Sequence, residues 1–214
     1  MRSHRENPPL QTQLLGNDLV DLGDPETLEA ALHPRFDKRV FSDRERARIY
    51  ADESRRHRSR WQHWALKEAA YKAVRRRDPR VVFSPRRLSV ELLDDVTARV
   101  SGFGLHLEAR LEENTSWVHA VVYADVDPGD LYFATDSLPE ATDCRDWVRS
   151  FAARSIEAEL GFGAGVCFIP RSQKLPALEA AGKVSDHHLS LSHHGGFVAF
   201  ACAPHRGAKR PEAA

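Results

Sequence analysis

The stretch from Ser59 to Arg77 constrains the fold more than any other part of the chain. It contains neither glycine nor proline and ends at Asp78-Pro79, so it predicts a single helix of about five turns. On a helical wheel Leu66, Ala69, Ala70, Ala73 and Val74 form an apolar face. Trp61, Trp64, Glu68, Tyr71, Lys72 and Arg75 cluster on the other side. A Glu68–Lys72 pair four residues apart on a solvated face contributes roughly a few tenths of a kcal/mol. Two tryptophans and a tyrosine beside it predict something more, either a second packed surface or a ligand cleft.

Around this helix the sequence passes twice through a similar order of elements. A strand is expected at Leu14–Leu22, then a helical stretch opening at Ser42, then the long helix. Strand-like segments follow at Leu88–Leu93, Leu105–Leu111 and Trp117–Ala124. Asp127-Pro128-Gly129 is a turn and marks the boundary between halves. The second round has a short strand at Leu131–Ala134 and a helix from about Asp143 to Leu160. That helix carries Trp147, Val148, Phe151, Ala152, Ser155 and Glu159 on one face, with Gly161 as its C-cap. Short strands follow at Val166–Ile169 and Leu189–Ser192, and His193-His194-Gly195-Gly196 turns into Phe197–Ala203. GFGAGV, from Gly161, follows a helix instead of opening one, which argues against a phosphate loop. The expected class is α+β, with halves at 14–127 and 130–203, each a small, mainly antiparallel sheet packed with helices. Residues 1–12 and those from Pro204 onward read as loose ends.

Composition narrows the class. The chain has 214 residues, 42% of them apolar, which excludes a largely disordered chain. No apolar run reaches the roughly 18–20 residues that span a bilayer. The polar N-terminus lacks the apolar stretch of a signal peptide. Cys144, Cys167 and Cys202 are far apart and form no CxxC pair, as expected of thiols in a reducing, cytoplasmic compartment. Net charge is zero but lopsided. Residues 35–87 carry 18 Lys/Arg against 7 Asp/Glu, whereas 88–146 carry 13 Asp/Glu against 3 Lys/Arg. The basic region predicts solvated helical faces or attraction to a phosphate-rich small molecule, an acidic protein or nucleic acid.

Three further segments carry candidate chemistry. Asp18 interrupts the apolar strand GNDLVDL, which is costly unless the carboxylate is exposed, paired or metal-bound. Ser42-Asp43-Arg44-Glu45 has the spacing of a capping box. In LSLSHHGG (residues 189–196) Ser192 and His193 end a strand beside a flexible glycine turn. The histidines at 187, 188, 193 and 194 invite a metal site, but matching cysteines and an HExxH frame are missing. A Ser-His hydrolase lacks its GxSxG elbow.

Taken in order, these segments resemble the 4′-phosphopantetheinyl transferase superfamily. GNDLVDL is similar to that family's first metal-binding strand, and RVFSDRERARI to its F-[ST]-x-x-E block. WALKEAAYKA matches W-x-x-K-E-[AS]-x-x-K at Trp64, Lys67, Glu68, Ala69 and Lys72. In the two-halved, monomeric members an Arg-bearing helix precedes a GKP-like segment and an [LI]-S-x-S-H-S strand. Arg149 and Arg154, Gln173-Lys174-Leu175-Pro176 and LSLSHHGG are the counterparts here. Those members place this half first, so the chain resembles a permuted version. Asn17 stands where the family has an apolar residue, and Val20 where two-halved members often carry a third metal-ligating Glu.

The resemblance implies a pseudo-dimer of two similar halves with the phosphopantetheinyl transferase fold, acting as a monomer. It implies Mg²⁺ held by Asp18 and Glu68, with Glu68 as general base and Lys72 assisting the leaving phosphate. Coenzyme A would be contacted by Arg154, Lys174, Ser192 and His193, and its phosphopantetheine arm would pass to a serine of an apo acyl or peptidyl carrier protein. Neither a membrane nor nucleic acid is implied as a partner. Two alternatives stand beside this reading: a degenerate homologue that binds coenzyme A without transfer, and an Arg-rich nucleic-acid-binding protein.

Overall fold

The computed structural model of the protein describes residues 13–160, 164–168, 175–180 and 182–205. Among the described residues ten strands form two five-stranded antiparallel sheets. The first holds β1 (Leu14–Asp21), β2 (Leu88–Leu92), β3 (Thr97–Gly102), β4 (Leu105–Glu113) and β5 (Trp117–Ala124), in the order β1-β5-β4-β3-β2. The second holds β6 (Tyr132–Ser137), β7 (Ala164–Phe168), β8 (Pro176–Ala180), β9 (Lys183–His194) and β10 (Phe197–Pro204), in the order β6-β10-β9-β8-β7. Both sheets therefore place their first strand at one edge, pair it with their last, and meander back. Helices α1 (Phe36–Val40), α2 (Asp43–Ile49) and α3 (Arg56–Arg77) lie between β1 and β2, and α4 (Cys144–Leu160) lies between β6 and β7.

Hydrophobic alternation explains the layering. Leu14, Val20, Val118, Ala120 and Val122 face α3 and its Ala65, Leu66, Ala69, Ala70 and Ala73. On the opposite face Leu15, Val121 and Tyr123 meet Ala201 and Ala203 of β10. The other face of β10 presents Phe200 and Cys202 to Ala152 and Ile156 of α4. The order is helix, sheet, sheet, helix, and each fully buried Leu, Ile or Phe contributes about 1.5–3 kcal/mol. Gly16 lets α3 approach β1, since a Cβ there would overlap the Ala69 carbonyl. No helix among the described residues is long and apolar enough to cross a membrane.

Several elements depart from the sequence expectation. β3 was not expected, because only Ala98 and Val100 of TARVSG point inward. β8 was also missed, and β9 runs for 12 residues, its first half hidden from the sequence expectation because it is mostly polar and not fully buried. In α4 the buried line is Val148, Ala152 and Ile156, whereas Glu159 is exposed. Gly161, and with it the expected C-cap, lies outside the described residues.

Candidate active site

Asp18 shares the α3-facing side of β1 with Leu14, Gly16 and Val20, so its carboxylate points toward the helix. One turn beyond Glu68 on α3, the Lys72 ammonium meets it, with Nζ 2.7 Å from Asp18 Oδ1. The Ser192 hydroxyl of β9 completes a triangle: it donates to Asp18 Oδ1 at 3.2 Å and accepts from Lys72 Nζ at 3.2 Å. The Asp18 and Lys72 side chains keep 12% and 33% of their surface exposed, so the pair opens to solvent at one side.

Glu68 accepts no hydrogen bond among the described residues. Burial, and then the neighbouring Asp18 carboxylate, push its carboxyl up to about 7, with Lys72 opposing them. Two acids that feel each other's charge, with one ammonium paired to Asp18 alone, form an incompletely neutralised set of hard oxygen donors. That donor set fits a Mg²⁺ ion, which takes one or two carboxylates and leaves its other positions to phosphates and water. Val20, where a third carboxylate would stand, is buried in the core under α3. Among the described residues no three His, Cys, Asp or Glu side chains gather as a metal cluster.

The second sheet reaches this site through side chains. β1 is an edge strand, and its outward N–H groups are capped from β9. Asn17 N donates to Ser190 Oγ at 3.1 Å, Leu19 N to Ser192 Oγ at 3.2 Å, and Asp21 N to His194 Nδ1 at 3.1 Å. The alternating Ser-x-Ser-x-His thus satisfies a strand edge that has no strand beside it. Gly196 N donates to Asp21 Oδ2 at 2.9 Å. Gly195, at φ +52°, leaves room for that carboxylate where any Cβ would collide. Asn17, the polar departure, bonds His119 Nε2 at 3.1 Å, and Thr135 of β6 lies 3.2 Å from His119 Nδ1. Complete burial holds His119 down at about 3, so the ring is neutral and links the sheets as a hydrogen-bonded pin.

The neighbouring motif residues are structural. Ser42 and Glu45 form the expected capping box, with Ser42 N to Glu45 Oε2 at 2.7 Å. Glu45 also accepts from Val90 N at 2.8 Å and from Lys67 Nζ at 2.8 Å. Lys67 further donates to the carbonyls of Val40, Pro85 and Leu88. Burial pushes the Glu45 carboxyl up, but Lys67 and the backbone donors outweigh it and hold it below the usual range. A packed surface accounts for the aromatics of α3: Trp61 donates to the Thr27 carbonyl, Trp64 packs on Phe36 and Phe83, and Tyr71 on Phe83.

The structure brings together Asp18, Glu68, Lys72 and Ser192. His193 lies partly exposed on the other face of β9. Partial burial, then the positive charges of Lys72 and Arg145, hold its ring below the usual histidine range, so it stands within electrostatic reach of the site. Arg154 is exposed, its guanidinium 5.0 Å from the Trp147 ring centre. It sits about 13 Å further along α4 than Arg145 at 1.5 Å per residue. Lys174 lies outside the described residues. Sequence reasoning passed over Arg145, whose influence on His193 comes from the packing of α4 and β9 and has no local signal.

A paired carboxylate, a lysine one turn along the same helix and a buried Lys–Glu hub define a recognisable arrangement, and it falls within one stretch of chain. A family model of the 4′-phosphopantetheinyl transferase superfamily matches residues 14–124. The chain belongs to that superfamily, whose members are transferases of the phosphopantetheinyl type. No curated protein matches the chain. The matched span is the first sheet with α1 to α3; the second sheet, which supplies Ser192, lies beyond it.

Proposed function

We propose that the protein transfers the 4′-phosphopantetheine arm of coenzyme A to a serine of an apo acyl or peptidyl carrier protein in a Mg²⁺-dependent reaction. The observation that carries this reading is the joint placement of Asp18, Glu68 and Lys72 at the seam between the sheets, two acids and an ammonium paired with one of them in one partly open notch. The shared strand order of the sheets supports a further part of it. Residues 14–127 and 130–203 are two repeats that make one site within a monomer.

Asp18 and Glu68 would hold the metal ion, which when bound neutralises the pyrophosphate and polarises the phosphoryl centre. Asp18 is fixed for that task by Lys72 and Ser192. Glu68, raised to about 7, is suited to take the proton of the carrier serine, directly or through water. The serine oxygen forms a bond to the β-phosphorus as the bond to the bridging oxygen breaks, and 3′,5′-ADP leaves with that electron pair. Lys72 stabilises the charge developing on the departing phosphate. His193, exposed on β9 and near enough to Lys72 to feel its charge, is a candidate contact for the donor.

The test is direct. The protein is incubated with apo carrier proteins, coenzyme A and Mg²⁺, and the carrier is weighed by mass spectrometry. Gain of the arm, lost in EDTA, supports the reading. Full activity in EDTA, or no gain on any carrier class, defeats it.

A further inference from the structure

The three side chains that cap β1 from β9 are not equivalent. Ser190 and Ser192 are the same group two residues apart, and each offers a hydroxyl to an outward amide of β1, Asn17 N at 3.1 Å and Leu19 N at 3.2 Å. A slip of β9 by two residues, about 7 Å, would seat one serine in the other's place. The serines by themselves therefore do not specify which hydroxyl stands beside Asp18 and Lys72.

The end of the ladder is specific. Asp21, the last residue of β1, donates its N–H to His194 Nδ1 at 3.1 Å and accepts at Oδ2 from Gly196 N at 2.9 Å. Its other carboxylate oxygen accepts from Gly23 N at 2.8 Å, which holds the side chain in that orientation. The turn is shaped around the carboxylate, since Gly195 has no Cβ to collide with it. On its far side the turn is tied to the second half, where Leu138 N donates to the Gly196 carbonyl at 2.8 Å. Moving β9 by two residues would withdraw the imidazole and the glycine turn from Asp21 together.

We infer that Asp21 and His194 are positioning residues of the transfer reaction proposed above, a clasp that stops β9 in the register that brings Ser192 to Asp18 and Lys72. They act through Ser192, whose hydroxyl donates to Asp18 Oδ1 and accepts from Lys72 Nζ. Partly exposed hydrogen bonds add little to global stability, whereas a displaced catalytic group costs much in rate. The clasp is therefore read in turnover before it is read in melting.

The experiment compares His194→Ala, Asp21→Ala and His194→Asn in the full chain, by transfer kinetics and by amide hydrogen exchange. The Leu19 amide donates to Ser192 Oγ, so its exchange reports whether Ser192 is in place, with or without activity. In His194→Ala and Asp21→Ala, kcat should fall about tenfold, with a smaller change in KM for coenzyme A, and Leu19 exchange should rise about tenfold. Amides of the β3–β4 ladder should keep their protection. His194→Asn presents an amide oxygen where Nδ1 stood and should restore both readings. Parental kcat in the two alanine variants overturns the positioning role, as does unchanged Leu19 exchange, and the transfer reading stands in either case. Equal losses in His194→Asn and His194→Ala overturn it as well. A parent chain that modifies no carrier defeats the transfer reading and with it the catalytic use of the clasp.

Discussion

Helix α3 holds two lysine–carboxylate pairs five residues apart, and they are opposites. Lys67 and Glu45 are 0% and 2% exposed, and Lys67 has four oxygen acceptors around it. Lys72 and Asp18 are 33% and 12% exposed, and an unbonded acid, Glu68, stands beside them. The first pair is saturated and ties α2, α3 and the start of β2 into one body. The second is unsaturated and open. Chemistry needs groups whose hydrogen-bonding capacity is not used up, whereas a fold needs groups whose capacity is. The same short motif supplies both kinds, and burial decides which lysine is which.

The contrast is most sharply tested at the saturated pair. Lys67→Met leaves Glu45 buried without its cation and is expected to destabilise the fold by about 3–5 kcal/mol. Urea denaturation reads this, and an unchanged midpoint would remove the structural role. Asp18→Asn comes next. It should lower kcat by roughly two to three orders of magnitude while circular dichroism and melting stay close to the parent. A folding defect as deep as that of Lys67→Met would erase the distinction between the pairs. Lys72→Ala is expected to lower kcat about 10- to 100-fold, with a smaller change in KM for coenzyme A. A rise in KM alone would make Lys72 a binding residue.

The smallest effect is a pH slope. In the metal-free protein Glu68 titrates near 7 against 4.5 in an unperturbed chain. Between those values the folded state binds a proton that the unfolded state has lost, so stability falls as pH rises from about 4.5 to 7. Glu68→Gln should flatten that slope. Lys72→Ala, which removes the opposing positive charge, should carry it to higher pH. Melting curves across the range decide between these outcomes.

Much of the frame was readable in the residues. β1, β4 and β5 announce themselves by apolar strings or alternation, and α3 by an unbroken 3.6-residue period ended at Asp78-Pro79. Asp18, Glu68 and Lys72 stand out in the sequence as a carboxylate in an apolar strand and a charged helix pair, each with a solvated reading of its own; the motif order of the superfamily is what joins them, and the structure places them side by side. β3 and the first half of β9 were not, because edge-facing polar residues dilute their alternation. Ser192 was read as a contact for coenzyme A, but its hydrogen bonds to Leu19 N, Asp18 and Lys72 depend on the register of two strands 173 residues apart. No local pattern encodes that register.

The side-chain capping of β1 has a consequence during synthesis. Residues 14–124 leave the ribosome first and contain every strand of the first sheet. Ser190, Ser192 and His194 follow some 70 residues later, several seconds at about 5–20 residues per second. For that interval the Asn17, Leu19 and Asp21 amides form a bare edge, open to pairing with the edge of another nascent chain. The late serines and histidine therefore act as a built-in closure against cross-chain strand exchange.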